Sequence, residues 1–530
     1  MSQQTAHFRF AYRRSTDQDR AAPAHHPVVI VGAGPVGLSL ALDLARRGVK
    51  SVLLDDADRI GEGSRGICYA KRTLEIWHRL GVAAPMLEKG VVWQRGKVFQ
   101  GERQIYAFDL LPEGGHRMPA FINLQQYYVE KFLAEAIARE PRIDLRWRNK
   151  VVAVDRHTDG AIVTIETPDG PYRLSADWLV CCDGARSPTR AMLGLDFAGE
   201  VFEDQFLIAD VRMTAPFPTE RWFWFDPPFH SGQSALLHKQ PDDVWRIDLQ
   251  LSPDADTESE KRPEIVRPRI ARMLGHENFE LEWVSVYRFQ CRRVRRFVHD
   301  RVIFAGDAAH QVSPFGARGA NSGVQDAENL AWKLAAIIDG SAPADLLASY
   351  DRERGQAADE NIAHSTRSTD FIAPRTRTER LFRDATLALA STTEFAKRLV
   401  NSGRLSTATR YDTPLSTADA EPFVGTAALG APLPDAPLAD GGYLLDRLGH
   451  GFTVLHVSDG TPASRIEGAE LLVVGRDVVA ADGSLAERLD ASPGATYLVR
   501  PDQHLAARMR CYDPARLARA RATALGRSHG

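Results

Sequence analysis

Apolar residues open the chain in short runs and helical stripes. Val28-Val29-Ile30-Val31 predicts a buried strand, Leu38 to Arg47 a helix, and Val52-Leu53-Leu54 a second strand ending at Asp55. Val91 to Phe108 alternates as strands do, and Tyr127 to Arg139 reads as a helix. Leu145 to Leu174 is a strand meander that closes on the buried run Trp178 to Cys182. From Phe206 the helical stripes stop. Phe206 to Met213, Arg221 to Phe225, Ser234 to His238, Val244 to Leu251 and Leu281 to Cys291 predict an antiparallel sheet inserted into the α/β fold. Val302-Ile303-Phe304-Ala305 returns to a buried strand. A helix follows from Ala320 to Leu334, with Val324, Ala327, Ala331 and Leu334 on one face. Helical patterning then runs to about Leu399, and Thr366 to Arg383 is placed over the site entrance. Residues 403–440 are rich in Pro, Ala, Gly and Asp and read as a linker. Gly451 to Val457, Glu470 to Val474 and Ala495 to Val499 are strands of a third domain.

This divides the 530 residues into an extension (1–26), a nucleotide-binding part (27–200, with some sheet strands near 90–120), a sheet domain (201–297), a second nucleotide-binding part with helices (298–402), the linker, and a C-terminal domain (441–530). The extension is expected to be a mobile arm or a surface strap, with His25-His26 part of a solvated tail. A net charge of −3 gives no sign of nucleic acid or an acidic membrane surface, and no apolar run reaches transmembrane length. Five cysteines without metal spacing fit a reducing cytoplasm and no metal site.

The chemistry is carried by two stretches. Gly32-Ala33-Gly34-Pro35-Val36-Gly37 stands between strand and helix. Gly32, Gly34 and Gly37 permit a tight turn and close approach of a pyrophosphate to the helix start. Asp55 follows at the distance where an acid accepts hydrogen bonds from an adenosine ribose, as in FAD or NAD. In the second stretch, Arg301 to Leu334, Asp307 tips a strand. A loop with Pro314, Gly316 and Gly319 leads to a helix start suited to the negative edge of a reduced flavin.

With Cys182-Asp183-Gly184-Ala185-Arg186-Ser187 between them and Gly306-Asp307-Ala308-Ala309-His310 in the second, these stretches make the chain resemble the FAD-dependent aromatic hydroxylases. These are the p-hydroxybenzoate hydroxylase-like group A flavoprotein monooxygenases. The resemblance covers roughly residues 27–340. It implies a Rossmann-like FAD domain with an inserted substrate sheet. NADH or NADPH reduces FAD, O₂ adds at flavin C4a, and a phenolic ring is hydroxylated. It places Gly32, Gly34, Gly37, Asp55, Arg65, Asp183, Asp307, Gly316, Gly319, Ala320 and Asn321 at FAD. Gln126, four residues before Glu130, belongs either near the ribityl chain or to a polar helix cap. Arg72 is either part of the family's helix signature or solvated, and Asp183 is expected to pair with Arg186. Pro314 would flank the flavin ring. His238, Tyr287 and His310 are candidate bases, and Trp224, His238, Arg246 and Tyr287 candidate pocket residues. Arg292 and Arg293 would reach a carboxylate or nicotinamide phosphates, or be surface charges.

The loop Ser313-Pro314-Phe315-Gly316-Ala317-Arg318-Gly319 departs from the family's P-P-x-G-G-Q-G. Arg318 would stabilise reduced flavin, bind an acidic substrate, or pair with Asp326 or Glu328. The last domain is similar in layout to the thioredoxin-like domain of the phenol hydroxylase and 3-(3-hydroxyphenyl)propionate hydroxylase branches. It has no C-x-x-C, which leaves a structural or homodimer-forming role. The expected partners are a small phenolic substrate and O₂. A larger polyketide- or drug-like aromatic, a reductase without oxygen insertion and a non-catalytic nucleotide-binding module are the competing readings.

Overall fold

The computed structural model describes residues 8–61, 66–400, 405–460 and 462–527. Its first sheet has eight strands. Its main path runs Val298–His299, Val302–Phe304, Tyr172–Cys181, Ala24–Val31, Ser51–Leu54, Ile143–Arg146. From Val302–Phe304 onward, neighbours on this path are parallel. Val28, Val29, Ile30, Val302, Ile303 and Phe304 are fully buried, as expected for strands covered on both faces. The helices Pro35–Arg46 and Gly319–Ile338 start at the carboxyl ends of two of these strands and pack together.

The second sheet is the inserted one. Its order is His310–Gln311, Glu280–Val294, Phe197–Arg212, Val244–Leu251, Ser234–Lys239, Arg221–Phe225, Arg95–Gln100, Arg103–Asp109. One edge is Arg95–Gln100 and Arg103–Asp109, within the stretch near 90–120, and the other passes the 201–297 boundary because the third fingerprint donates the edge strand His310–Gln311. Strand alternation gives it two unlike faces. One carries Trp224, Leu237, Trp245, Ile247 and Leu249 and packs on the helix Pro263–Leu274 through Val266 and Ile270. The other carries Phe206, Phe223, Phe225 and Phe289 and meets Phe315 of the nucleotide-binding part. Phe315 stands edge-on to Phe206 and Phe289 at 4.9 and 5.4 Å, which joins the loop before the Gly319 helix to the sheet.

The C-terminal domain is a four-stranded sheet in the order Ala469–Val474, Phe452–Val457, Thr496–Val499, Leu505–Met509. The first pair is parallel and the others antiparallel, the strand order and directions of a thioredoxin-like sheet.

Three expectations change. The described part of the extension takes the strap alternative, but its histidines are not a solvated tail. Phe10 stacks on Trp147 at 4.4 Å, and Asp17 accepts from Arg146 at 2.5 Å and pairs with His26 at 2.9 Å. The first strand starts at Ala24, so the two histidines belong to the sheet. The linker is also packed. Leu405, Tyr411 and Leu415 are buried, and Tyr411 accepts from Arg354 at 2.8 Å. Finally, Asp183 does not pair with Arg186, which is exposed. Its carboxylate takes Ser187 Oγ at 2.6 Å and the N–H and hydroxyl of Thr189, capping the short helix Pro188–Met192.

Candidate cofactor and substrate site

The three fingerprints meet at one point. Gly32 sits at φ +103°, and a Cβ there would lie 2.5 Å from the carbonyl oxygen of Cys182, so the first turn rests on the second fingerprint. A Cβ on Gly323 would lie 2.6 Å from Val36 Cγ2, so the first helix rests on the third. Gln311 donates to the Ala185 carbonyl at 2.6 Å and Arg190 to the Ala308 carbonyl at 3.0 Å, joining second to third. Gly34 differs from its neighbours: a Cβ there would meet nothing within 4 Å. Its backbone and the first N–H groups of the Pro35 helix form a cradle suited to a pyrophosphate. Asp55 accepts from Ala33 N–H at 2.6 Å and Ala57 N–H at 2.9 Å. Burial pushes its carboxyl up against those two donors. It therefore shapes the turn besides facing the ribose position.

The helix Gly319–Ile338 provides the second start. Asp307 lies beside it, its Oδ1 3.9 Å from where a Gly319 Cβ would be. Asn321 is buried, with its side chain fully occupied. Its oxygen accepts from Ala70 N–H and the Thr73 hydroxyl, and its nitrogen donates to the Cys68 and Ala317 carbonyls. The side chain is thus a clamp, and what Gly319, Ala320 and Asn321 offer a flavin is the backbone at the helix start. Gln126 accepts from Gly66 N–H at 3.0 Å and donates to Glu130 at 2.7 Å, and Glu130 accepts from Gly61 N–H at 2.6 Å. This pair holds both ends of the segment that contains Arg65, itself outside the described residues.

Asp326 braces the unit from behind. It accepts from Gly306 N–H at 2.9 Å and Arg354 Nε at 2.5 Å, and pairs with His310 Nε2 at 2.7 Å. His310 is buried against Phe297 and ties the turn at Gly306 to Asp326. Arg318 pairs with neither proposed acid, since Asp326 holds His310 and Arg354 and Glu328 holds Arg72 and Arg79. It is buried with its guanidinium against Gly316, at φ +95°, where a Cβ would lie 2.3 Å from Nη1. Pro314 is exposed at the head of this turn. Arg72 is neither solvated nor at the cradle; it joins Glu75, Glu328 and Gln503 of the C-terminal domain.

On the sheet face toward this unit, His238 pairs in register with Arg246, Arg246 with Asp210, and Phe206 with Tyr287. Trp224 is the correction: alternation puts it on the opposite face, stacked on Phe99 at 5.3 Å beside Phe229. Arg246 is buried and holds Asp210 through two bonds of 2.8 and 2.9 Å. Gln240 donates to the same carboxylate at 2.9 Å. His238 is buried edge-on to Trp93, and burial, with Arg221 and Arg246 nearby, keeps it neutral. Arg293 is held by Asp359 at 2.6 Å and Arg292 by the Phe197 carbonyl at 2.9 Å, both half-buried.

Sequence reading missed three residues of this face or its rim: Arg221, Asp248 and Cys68. Arg221 lies one residue before Trp222, which pairs with Leu237, so it stands beside His238. Burial pushes the Asp248 carboxyl up to about 6 against the pull of Arg246, and the Cys68 thiol up to about 11. Cys68 connects the two halves. Its carbonyl is held by Asn321, and its thiol feels the charges of Arg221 and Arg246. Alternation within the strands was the available signal, since Arg221 and Asp248 share parity with Phe223 and Arg246. Among the described residues no group of His, Cys, Asp and Glu could hold a metal ion.

A glycine turn on a parallel strand, an acid after the next strand and two open helix starts define a dinucleotide-binding flavoprotein. The chain belongs to the FAD binding domain family, which it matches over residues 25–365. It is 30% identical over 386 residues to a 3-(3-hydroxy-phenyl)propionate/3-hydroxycinnamic acid hydroxylase of Mycobacterium sp. (strain KMS), covering 73% of this chain and 66% of that protein. The chain thus spans slightly less than two thirds of that relative's length. Among solved structures, the flavin-dependent monooxygenase PieE in complex with FAD and substrate superposes with a TM-score of 0.81 at 24% identity, covering 96% of this chain and all of that one, a likeness of fold. The OxyS anhydrotetracycline hydroxylase from Streptomyces rimosus superposes with a TM-score of 0.71 at 27% identity, over 95% and 99%. The cradle at Gly34 and the open start at Gly319 fit FAD, the group this family is named for.

Proposed function

We propose that the protein is an FAD-dependent monooxygenase that hydroxylates a phenolic ring, using NADH or NADPH and O₂, in the catabolism of an aromatic compound. The observation that carries this is the juxtaposition of the flavin cradle with an aromatic-lined sheet face bearing Arg221, His238, Asp248 and Tyr287. FAD, when bound, supplies the redox and oxygen chemistry. The chain's share is to place the ring, exclude water and handle the phenol proton. Phe206, Phe223, Phe225 and Phe289 give the apolar wall. Asp248 lies on the same face with a carboxyl near 6, suited to accept a phenol proton at neutral pH. The Gly34 and Gly319 helix starts hold the diphosphate and the ring edge. Five free cysteines, none placed as a redox pair, fit a cytoplasmic enzyme.

The likeness to OxyS favours a second reading, a larger fused aromatic as substrate. NAD(P)H oxidation by the yellow holoenzyme decides between them. Stimulation by simple phenols with hydroxylated product carrying ¹⁸O from ¹⁸O₂ is the expected result. Stimulation only by fused-ring phenols would establish the second reading. Oxidation with no ¹⁸O in the product would sink both in favour of a reductase.

A further inference from the structure

Among the described residues, Arg221 is a buried cation of the sheet face that no acid pairs through a hydrogen bond or ion pair. It is 5% exposed, yet it makes no hydrogen bond or ion pair with any described residue, and its Nε is buried without a partner. Burying a guanidinium that way is costly, which is why buried arginines are nearly always paired. Arg246, two strands away on the same face, shows the usual arrangement, its fork closed on Asp210. The acidic groups that Arg221 feels are Cys68 and Asp248: burial keeps Cys68 a thiol, and Asp248, raised to about 6, carries charge at neutral pH but forms no hydrogen bond or ion pair with the guanidinium. Beside it, His238 is buried with Nδ1 unpartnered and stays neutral, so it has a hydrogen bond to give or take and no charge. Asp248 Oδ1 is also buried without a partner, and its oxygens must be turned from any anion that approaches Arg221. The cluster adjoins the flavin cradle through Cys68, whose carbonyl Asn321 clamps at the start of the Gly319 helix.

We propose that Arg221, with His238 beside it, is the substrate anchor: it takes an oxyanion of the aromatic substrate, either a carboxylate or an ionised phenol oxygen. This rests on the hydroxylase reading for the identity of the ligand, not for the existence of the anion site. A guanidinium presents a planar fork of donors that matches a carboxylate, and it also donates to a single phenolate oxygen. The substrate class that follows is a phenol carrying acidic character at the site, and neutral aromatics are discriminated against.

The test is equilibrium binding to the FAD-loaded enzyme, read as perturbation of the flavin spectrum, for m-hydroxybenzoate, its methyl ester and its methyl ether. The wild type is expected to bind the acid at least about tenfold more tightly than one of the two derivatives. Weak binding of the ester identifies the carboxylate as the anchored group, and weak binding of the ether identifies the phenol oxygen. Arg221→Met is expected to abolish that preference while leaving the melting temperature unchanged or higher, because the residue it removes is a buried charge with no hydrogen-bonded acid. Arg221→Lys is expected to restore part of the preference. A preference that survives in Arg221→Met would overturn the proposal. So would a fall of several degrees in melting temperature without loss of preference, or a wild type that binds none of the three probes. Arg221-dependent binding without hydroxylated product would leave the anchor standing and remove the hydroxylase reading instead.

Discussion

Two buried polar clusters in this chain are built on opposite plans. At the seam between the nucleotide-binding part and the C-terminal domain, Glu353 accepts from Lys333 at 2.8 Å and from both terminal nitrogens of Arg500 at 2.7 and 3.0 Å. Asp502 takes Arg500 and the Trp332 indole. All four charged groups are fully buried, and each is answered by a charge of opposite sign. On the sheet face toward the flavin cradle, Arg221 and His238 are buried and Asp248 is half-buried, and each leaves a buried atom unpartnered. Burial alone separates neither cluster from the core. Whether the protein completes the polar set itself is what distinguishes a joint from a binding surface.

The sharpest way to break the closed cluster is Glu353→Gln. Burial alone would push the Glu353 carboxyl up, but Arg500 and Lys333 outweigh it and hold it well below the usual carboxylate range. Glutamine keeps the shape and leaves two buried cations without an anion. A loss of about 3–5 kcal/mol in denaturant unfolding at neutral pH is expected. Because the folded carboxyl is depressed, its contribution is complete above the ordinary value of 4.5 and is lost as pH falls toward the lower folded value. The gap between variant and wild type should therefore narrow in strong acid. A gap that is small at pH 7, or that is independent of pH, would show that the network adds nothing as an ionic unit.

The open cluster responds in the other direction. Asp248 has its carboxyl raised from 3.8 to about 6, burial outweighing Arg246. The unfolded chain gives up that proton at lower pH than the folded one, so stability falls as pH rises from about 4 to 6, and the penalty is complete above 6. Asp248→Asn should therefore match the wild type below pH 4 and be as stable or more stable above 6. If Asp248 takes the phenol proton, the acidic limb of kcat/KM near pH 6 should disappear in the variant and the rate should drop roughly 10²-fold or more. An unchanged limb would assign that titration elsewhere.

Much of this contrast lay beyond a linear reading. Runs such as Val28 to Val31 and Val302 to Ala305 announce buried parallel strands, and Gly32, Gly34 and Gly37 announce the turn, because these signals are local. Which partner each charge finds is set by tertiary contact. Arg72 meets Gln503 across 431 positions, and Asn321 clamps Cys68 across 253, distances no periodicity encodes. Arg221 looked ordinary in a sequence already rich in arginine. Strand alternation puts it on the face of Phe223, but only the neighbouring strands show that no acid pairs with it. The packed state of residues 405–440 was hidden for a similar reason: its Pro and Gly content describes backbone freedom, while Tyr411 and Leu415 supply the burial.

The smallest expected effect comes from Trp224, which a count of aromatics would place in the pocket and the register places behind it. It packs against Phe99, Trp222 and Phe229 over the helix Pro263–Leu274, with the whole thickness of the sheet between it and Arg221. Trp224→Phe removes part of a buried ring and should cost about 1–2 kcal/mol of stability, less than the roughly 3–5 kcal/mol of truncating a buried aromatic to alanine. Its KM for the substrate should stay within twofold of the wild type. A Phe206→Leu change on the facing side, with comparable loss of ring area, should raise KM while costing similar stability. Equal effects of the two on KM would mean that the sheet transmits packing from one face to the other, and that the division into a structural and a binding face is too simple.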